Sequence, residues 1–310
     1  MRFFHKFESI NYKYFALING ILLNTKKKTN FSNVIKYLEK YSYVFDDLKL
    51  IESSNLYTNK IWQLWFQGED NMPAIVKKCT ESVKKFHEQD VIMLNSDNLV
   101  DYVEIPDYIE RLYQKGRMCH ANYSDIVRLI LLAKYGGTWV DSTIMLTDRM
   151  PDDIRNSEIF MFRSFDSECL HNIKSVEQFA IISNFLNKVI SIESPYFIHA
   201  KSGSRLINAI LQLILEFWKN EQKPVDYLMI DKFFALAVIK DEKCREEFMN
   251  MPIYYLENVL LLQEALFEKF DTKLFENIKL MSPVHKLTYK NLHRNPYKDS
   301  FLKVLLKEEM

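Results

Sequence analysis

The chain has 310 residues, and its 41 lysines and arginines are balanced by 41 aspartates and glutamates. With a net charge of zero, it is not expected to bind nucleic acid by neutralising phosphates. Hydrophobic residues make up 48% of the chain and aromatic residues 14%, which is enough for a large buried core and excludes a disordered protein. We expect one large domain, or one domain with a smaller appendage.

Glycine is scarce, with 6 residues in the whole chain, whereas an average usage of roughly 7% would give about 22. The sequence contains no G-x-G-x-x-G and no G-x-x-x-x-G-K-[ST] segment, so the usual dinucleotide and P-loop phosphate loops are absent from it. A phosphorylated ligand would therefore have to be bound by a different structural element.

The cysteine pattern and the hydropathy predict a cytoplasmic protein. The four cysteines are far apart and never form C-x-x-C, which argues against a zinc site and favours reduced thiols. We see no signal peptide at the N-terminus and no apolar run near the roughly 18 residues of a membrane span. The chain is expected to be soluble, or at most to lie on a membrane.

Residues 1–57 are predicted to form a helical N-terminal region. Apolar residues recur there at spacings of three and four, as in an amphipathic helix: Phe3, Phe7, Ile10, Tyr14, Ile18 and Ile21. Up to position 40 this region has eight lysines and arginines against two acids. Two arrangements stay open, a peripheral contact with the inner face of the cell membrane and a helix packed on the main domain.

From Lys60 onward, short apolar runs alternate with helical patterns. The runs predict strands at 61–66, 90–94, 138–140, 158–162 and 196–199, separated by helices that begin near Pro73, near Pro106 and at Ser124. This alternation predicts an α/β fold with a largely parallel sheet. After Ser204 the pattern is mostly helical.

The segment 123–143 contains the most informative group of residues. Ser124 is a good N-cap, Asp125 falls in the first helical turn and Gly136 is a good terminator. A helix over 125–135 is about 16 Å long, and a strand over 137–141 returns about 13 Å. The spacing therefore brings Asp125 and Arg128 beside Asp141, at the sheet edge where α/β proteins bind ligands.

Two carboxylates and a guanidinium at this edge suit a polyhydroxylated or phosphorylated ligand. The alternative is purely structural, with Asp125 as a helix cap, Arg128 as its partner and Asp141 closing a strand. The spacing alone does not decide between the two.

The segment S-D-I-V-R…Y-G-G-T-W-V-D-S-T, at 124–143, resembles the S-D-x-x-R…Y-G-G-x-W-x-D segment of bacterial capsular polysaccharide synthesis proteins. That family is related to sugar transferases with a D-x-D motif in the donor site. The resemblance extends to I-W-Q-L-W at 61–65, Y-F-I-H-A at 196–200 and H-K-L at 285–287. It implies a GT-A (Rossmann-like) nucleotide-sugar-binding core at 58–203, with helical additions at 1–57 and, on the acceptor side, at 204–310.

The resemblance implies a retaining glycosyltransferase that moves galactose or glucose from a UDP-sugar onto a lipid-linked oligosaccharide in capsular or exopolysaccharide synthesis. It assigns Asp125 and Arg128 to the donor hexose and Asp141 to the first position of D-x-D. Trp65, or alternatively Trp62, would stack on the base. The other nucleotide contacts would come from Gln63, Gly137, Ser142, Thr143 and Lys286.

A divalent cation, Mn²⁺ or Mg²⁺, is also implied, with Asp141, Thr143 and His285 as its ligands. The third position of D-x-D is however Thr143, and a hydroxyl is a weaker ligand than a carboxylate. The metal requirement therefore stays open. His285 and Lys286 would compensate for the missing acid, or would belong to a solvated basic segment.

Two other functions also stay open, a sugar-phosphate transferase and a non-catalytic glycan-assembly protein with a relict donor site. Two further residues are weaker candidates. Asp231 lines the acceptor side, pairs with a nearby lysine such as Lys232, or caps a helix. His199 is expected at the same sheet edge as Asp141.

Overall fold

The computed structural model describes residues 31–54, 57, 59–163, 175, 193–226, 229–290, 292 and 297–307. The amphipathic pattern from Phe3 to Ile21 lies outside these residues, so the basic N-terminal helix stays a prediction. None of the helices within the described ranges is long and apolar enough to cross a membrane.

The described residues form seven strands in two sheets. The strands are β1 (Ile61–Leu64), β2 (Val91–Leu94), β3 (Gly137–Val140), β4 (Ile144–Leu146), β5 (Ile159–Arg163), β6 (Glu193–Ala200) and β7 (Val284–Lys286). The central sheet has the order β2-β1-β3-β6-β5, and β4 pairs separately with β7. All five strands predicted from the sequence are present, with small shifts at their ends.

The central sheet is mixed, which corrects the expectation of a largely parallel one. β1 is parallel to β2 and β3, but β6 is antiparallel to both β3 and β5. The first residues of β6 therefore lie at the carboxyl end of β3, where the Asp141 amide donates to the Tyr196 carbonyl at 2.9 Å. His199 pairs with Thr138 near the other end of β3, so its predicted place beside Asp141 was wrong.

Eleven α-helices lie within the described ranges. They are α1 (Phe31–Leu38), α2 (Ala74–His87), α3 (Asp107–Gln114), α4 (His120–Tyr135), α5 (Asp152–Asn156), α6 (Arg205–Asn220), α7 (Met229–Lys240), α8 (Glu242–Met249), α9 (Leu256–Ala265), α10 (Thr272–Met281) and α11 (Phe301–Lys307). The mostly helical pattern predicted after Ser204 is confirmed.

Helix α4 is a largely buried link between the central sheet and the helices packed on it. It packs against α6, which in turn packs against α7, and all three contribute to one apolar cluster with Trp62 of β1. Ile126, Leu129 and Leu132 of α4 are completely buried. Burial of each such side chain stabilises the fold by roughly 2 kcal/mol, so the position of α4 against the sheet is firmly fixed.

The connection from α4 to β3 depends on two adjacent glycines with positive φ, Gly136 (69°) and Gly137 (90°). A Cβ atom on Gly137 would lie 2.3 Å from the Lys60 carbonyl oxygen, because β3 starts in close contact with the chain entering β1. A side chain does not fit there without movement of the backbone. The predicted end of the helix at this pair is confirmed.

We expect Gly137→Ala to lower the free energy of unfolding by roughly 3 kcal/mol, because it combines a left-handed backbone with a backbone clash. Gly116→Ala is the matched control: Gly116 also has a positive φ (67°), but no atom lies within 4 Å of its added Cβ. We expect the free energy of unfolding of that control to fall by about 1 kcal/mol. Urea unfolding measures both changes, and equal losses would contradict the close approach of β3 to the chain before β1.

Candidate active site

Helix α4 begins at His120, one turn earlier than the start predicted at Ser124. Tyr113 of α3 stacks on Tyr123 with 4.2 Å between ring centroids and contacts His120 edge-on at 5.5 Å. These aromatic contacts add a turn that the capping pattern did not reveal. Ser124 is therefore inside the helix, and Asp125 lies in its second turn.

Arg128 is held between two acids at the carboxyl end of β3. Its Nη2 atom lies 3.3 Å from Oδ1 of Asp125 and 3.6 Å from Oδ1 of Asp141. The guanidinium carbon is 4.9 Å from the centroid of the Trp139 ring, and Nη1 donates to the carbonyl of Pro195. The structure thus brings Asp125, Arg128 and Asp141 together, as the spacing predicts.

Trp139 positions two of these three side chains. Its indole N–H donates to Oδ1 of Asp141 at 2.9 Å, while its ring faces Arg128. Residues two apart on a strand point to the same side, which explains how β3 presents Trp139 and Asp141 together. No role was predicted for Trp139 from the sequence. The W-x-D spacing is the signal that could have indicated its contact with Asp141.

A second cation reaches Asp141 from a distant part of the chain. The Nζ atom of Lys286 lies 2.8 Å from Oδ2 of Asp141 and 2.5 Å from Oγ1 of Thr143. Lys286 pairs with Ile144 in the small β4–β7 sheet, and the Leu287 amide donates to the Thr143 carbonyl at 2.9 Å. The β4–β7 pairing therefore fixes the backbone from which this lysine extends.

The three acids of this region have different proton affinities. Burial would raise the pKa of Asp141, but Lys286 and Arg128 outweigh it and hold that pKa below its usual value. Burial raises the pKa of Asp125 to about 6, against the opposing effect of Arg128. Burial also raises the pKa of Asp231 on α7 to about 7, opposed by Lys232 and reinforced by the charge of Asp125.

Asp231, a weaker candidate in the sequence, is thus electrostatically linked to the site. It is 3% exposed, and its Oδ1 atom has no hydrogen-bond partner among the described residues. The neighbouring lysine, Lys232, forms an ion pair with Asp226 at 3.2 Å, and its charge opposes the rise in the pKa of Asp231.

His285 is not brought to Asp141 and Thr143. It alternates with Lys286 along β7, so the two side chains point to opposite sides. The His285 ring is completely buried, and its Nε2 atom hydrogen-bonds to Oγ1 of Thr147 at 3.0 Å. Burial lowers the pKa of His285 to about 4, so the ring is neutral.

The donor atoms at this edge do not fit the divalent cation that the sequence implies. The ammonium of Lys286 lies between Asp141 and Thr143, the two residues expected to bind the metal, and the third expected ligand, His285, faces away. Within the described ranges, no three His, Cys, Asp or Glu side chains form a group able to hold a metal ion.

Two of the expected nucleotide contacts lie close to this edge. Trp65 directly follows β1 and contacts the Tyr289 ring edge-on, with centroids 5.4 Å apart. The Ser142 hydroxyl donates to the Leu64 carbonyl at 3.0 Å, which ties the loop after β3 to the end of β1. Trp65, Ser142 and Thr143 therefore share one region of the structure.

Three other expected contacts are placed differently. Gln63 is completely buried, and neither polar atom of its amide has a hydrogen-bond partner in the described part of the chain. Trp62 is also completely buried and donates to the Gly136 carbonyl at 2.9 Å. Gly137 begins β3, whereas Asp141 follows its far end, which corresponds to a separation of about 13 Å.

An aromatic groove of about 630 Å³ lies where β1 and β2 end, beside the start of α4. Its lining comes from the segments after both strands and from α3 and α4: Phe66, Ser96, Leu99, Val100, Val103, Glu104, Ile105, Glu110, Tyr113 and Tyr123. No sequence pattern predicts this groove, because its lining residues are scattered over 58 positions from Phe66 to Tyr123.

The raised pKa values of Asp125 and Asp231 predict a loss of stability as the pH rises. Both folded-state values exceed the usual 3.8, so the folded state binds more protons than the unfolded state between about pH 4 and 7. Asp231→Asn removes one of these groups, and we expect it to stabilise the protein at pH 8 by about 4 kcal/mol and to flatten the pH profile of urea unfolding.

The control for this experiment is Asp70→Asn, a change at an exposed acid. It should leave the slope of stability against pH unchanged between pH 4 and 7. The same slope in Asp231→Asn as in the unaltered chain would contradict a raised pKa at Asp231.

The chain is similar to two known proteins and to one family. An O-glycosyltransferase, braB of Annulohypoxylon truncatum, is 24% identical over 171 residues, which are 51% of this chain and 37% of that protein. The chain thus matches well under half the length of that relative. Among solved structures, PaToxG Glycosyltransferase superposes with a TM-score of 0.39 and 16% identity, over 81% of this chain and 92% of that one.

The model of one protein family, described as capsular polysaccharide synthesis protein, matches residues 14–305. This match includes every residue of the site at the end of β3. The chain belongs to the capsular polysaccharide synthesis protein family.

Proposed function

We propose that the protein is a glycosyltransferase with a GT-A-type donor site, which transfers a hexose from a UDP-sugar with retention of anomeric configuration. One observation carries the proposal: Arg128 lies between Asp125 and Asp141, with Lys286 on the other oxygen of Asp141. Family membership and the similarity to an O-glycosyltransferase support it.

The cations and acids of the site match the two halves of a sugar diphosphate. The side chains of Lys286 and Asp141 are 24% and 25% exposed, so a ligand can reach both. Lys286 offers its ammonium to the diphosphate, and Asp141 and Asp125 accept hydrogen bonds from sugar hydroxyls. Arg128 is 7% exposed in its side chain and mainly holds the two acids in place.

In the proposed reaction, the bond between the anomeric carbon and the phosphate oxygen breaks, and its electron pair leaves with the diphosphate. The acceptor hydroxyl oxygen bonds to the anomeric carbon on the same face, and its proton passes to the departing phosphate oxygen. Lys286 stabilises the negative charge that develops on the diphosphate. The carboxylate of Asp141, with its lowered pKa, stabilises the positive charge on the sugar ring.

We assign the nucleoside to the end of β1, between Trp65 and the aromatic groove. Trp65 is partly buried and its indole nitrogen has no hydrogen-bond partner among the described residues. A base stacked on an aromatic ring gains about 1–3 kcal/mol. The groove adds aromatic surface at this end of β1, because Phe66, the residue after Trp65, lines it together with Tyr113 and Tyr123.

The acceptor we propose is a lipid-linked oligosaccharide in capsular or exopolysaccharide synthesis, in keeping with the family description. The helical region at 204–310 would contribute the acceptor side, against the nucleotide-sugar core at 58–203. The basic pattern of residues 1–57 would give a peripheral contact with the membrane that carries such an acceptor.

A screen of UDP-sugars for turnover tests the proposal. We expect release of UDP from a UDP-hexose, and a loss of at least 100-fold in kcat for Asp141→Asn, because the variant cannot stabilise the positively charged sugar. Asp148→Asn, at an exposed acid two residues beyond β4, is the control and should keep kcat within twofold. Release of UMP would instead support a sugar-phosphate transferase, and turnover of no UDP-sugar would contradict the proposal.

The assignment of Trp65 is tested by calorimetric binding of UDP. Trp65→Ala should weaken binding about tenfold, since it removes one stacking contact, and Trp65→Phe should restore most of the affinity. Tyr289→Ala controls for lost packing, because it removes the ring that contacts Trp65 but leaves the indole in place. Equal losses of affinity in Trp65→Ala and Tyr289→Ala would argue against direct stacking.

A further inference from the structure

We infer that the ammonium of Lys286 takes the place of the divalent cation, so that the donor diphosphate binds without a metal. The inference rests on the proposed function, because the nucleotide-sugar donor is what brings a diphosphate to this edge. It concerns a different property, the source of the positive charge that the diphosphate meets.

The position of the ammonium carries the inference. Its Nζ atom lies 2.8 Å from Oδ2 of Asp141 and 2.5 Å from Oγ1 of Thr143. These two side chains are the first and third positions of the D-x-D-like segment, from which a metal would be bound. An ammonium at hydrogen-bond distance from both occupies the space that a bridging cation needs.

Lys286 is fixed in this place by its surroundings. Its backbone pairs with Ile144 across the β4–β7 sheet, and the next residue, Leu287, donates to the Thr143 carbonyl. The ammonium also lies 5.2 Å from the ring centroid of Tyr196, a favourable distance for a cation over an aromatic face. The backbone of this lysine is therefore held against the loop that carries Asp141 and Thr143.

The charges of the segment agree with a monovalent cation. Two carboxylates in a D-x-D segment balance a divalent ion, whereas Asp141 with Thr143 carries a single negative charge, which already meets the Lys286 ammonium and the Arg128 guanidinium. Divalent metals such as Mg²⁺ favour carboxylate ligands, so the exchange of an acid for a hydroxyl weakens a metal site. An ammonium has three N–H donors. Asp141 and Thr143 accept two of them, which leaves one for a phosphate oxygen.

His285 does not supply a replacement ligand. Its Nε2 atom is hydrogen-bonded to Thr147 and its ring is completely buried on the other side of β7. A metal bound between Asp141 and Thr143 would have to displace Lys286 and would then hold a single carboxylate of that segment.

Calorimetric titration with UDP, in EDTA and then in Mn²⁺, tests the inference on the full chain. We expect the Kd of the unaltered protein to differ by less than twofold between the two conditions. Lys286→Gln should weaken UDP binding at least tenfold in both conditions, because the charge is lost. Lys290→Gln is the matched control, since it removes an exposed lysine four residues away, and it should keep the Kd within twofold.

A second variant should convert the site into one that depends on a metal. Because it gains a property, its result cannot be explained by a failure to fold. Thr143→Asp combined with Lys286→Ala restores the acid pair and removes the ammonium. This double variant should bind UDP at least tenfold more tightly in Mn²⁺ than in EDTA, and electron paramagnetic resonance should detect bound Mn²⁺ that the unaltered chain lacks.

The outcomes separate the inference from the proposed function. If the unaltered protein binds UDP in Mn²⁺ but not in EDTA, or if Lys286→Gln binds UDP as the unaltered protein does, the inference is overturned while the transferase proposal stands. Absence of UDP binding under both conditions would instead remove the proposed function, and the inference with it.

Discussion

The site depends on one buried cation, the guanidinium of Arg128. This residue is 6% exposed, and a charge at such a position is costly unless it is paired and hydrogen-bonded. Asp125 of α4 and Asp141 at the end of β3 form ion pairs with it. The Pro195 carbonyl of β6 accepts a hydrogen bond from it. Without Arg128, two acids would face each other in a poorly solvated place. The guanidinium therefore holds three elements in one arrangement.

This arrangement gives the two acids different states. Asp141 accepts from Trp139 and meets two cations, so its pKa is lowered and it is ionised at neutral pH. Burial also acts on Asp125, where Arg128 alone opposes it, and raises its pKa to about 6. In the proposed reaction the sugar ring develops positive charge, and Asp141 would supply the ionised carboxylate beside it. Asp125 is better suited to hydrogen-bond sugar hydroxyls than to supply fixed charge.

Sequence patterns predicted the features that follow from the local geometry of helices and strands. The apolar alternation located the strands, and the Gly136–Gly137 pair with the lengths of α4 and β3 placed Asp125 and Arg128 beside Asp141, because helix rise and strand rise are nearly constant. The GT-A character and the roles of these residues remain proposals.

Other features depend on the tertiary structure. The direction of β6, which moved His199 away from Asp141, is not encoded in a hydrophobic pattern. The early start of α4 comes from aromatic stacking with α3, and the separation of His285 from Lys286 comes from the alternation of β7 once it pairs with β4. The complete burial of Gln63 likewise depends on residues that are distant in the sequence.

We propose that the group of Asp125, Arg128, Asp141 and Lys286 holds a nucleotide sugar. A crystal structure of the chain with a non-transferable UDP-hexose analogue tests it most directly. We predict the diphosphate on the Lys286 ammonium, with hexose hydroxyls within hydrogen-bond distance of Asp125 and Asp141. An analogue bound elsewhere, with the Lys286–Asp141 ion pair intact and no ligand atom at the end of β3, would contradict the claim.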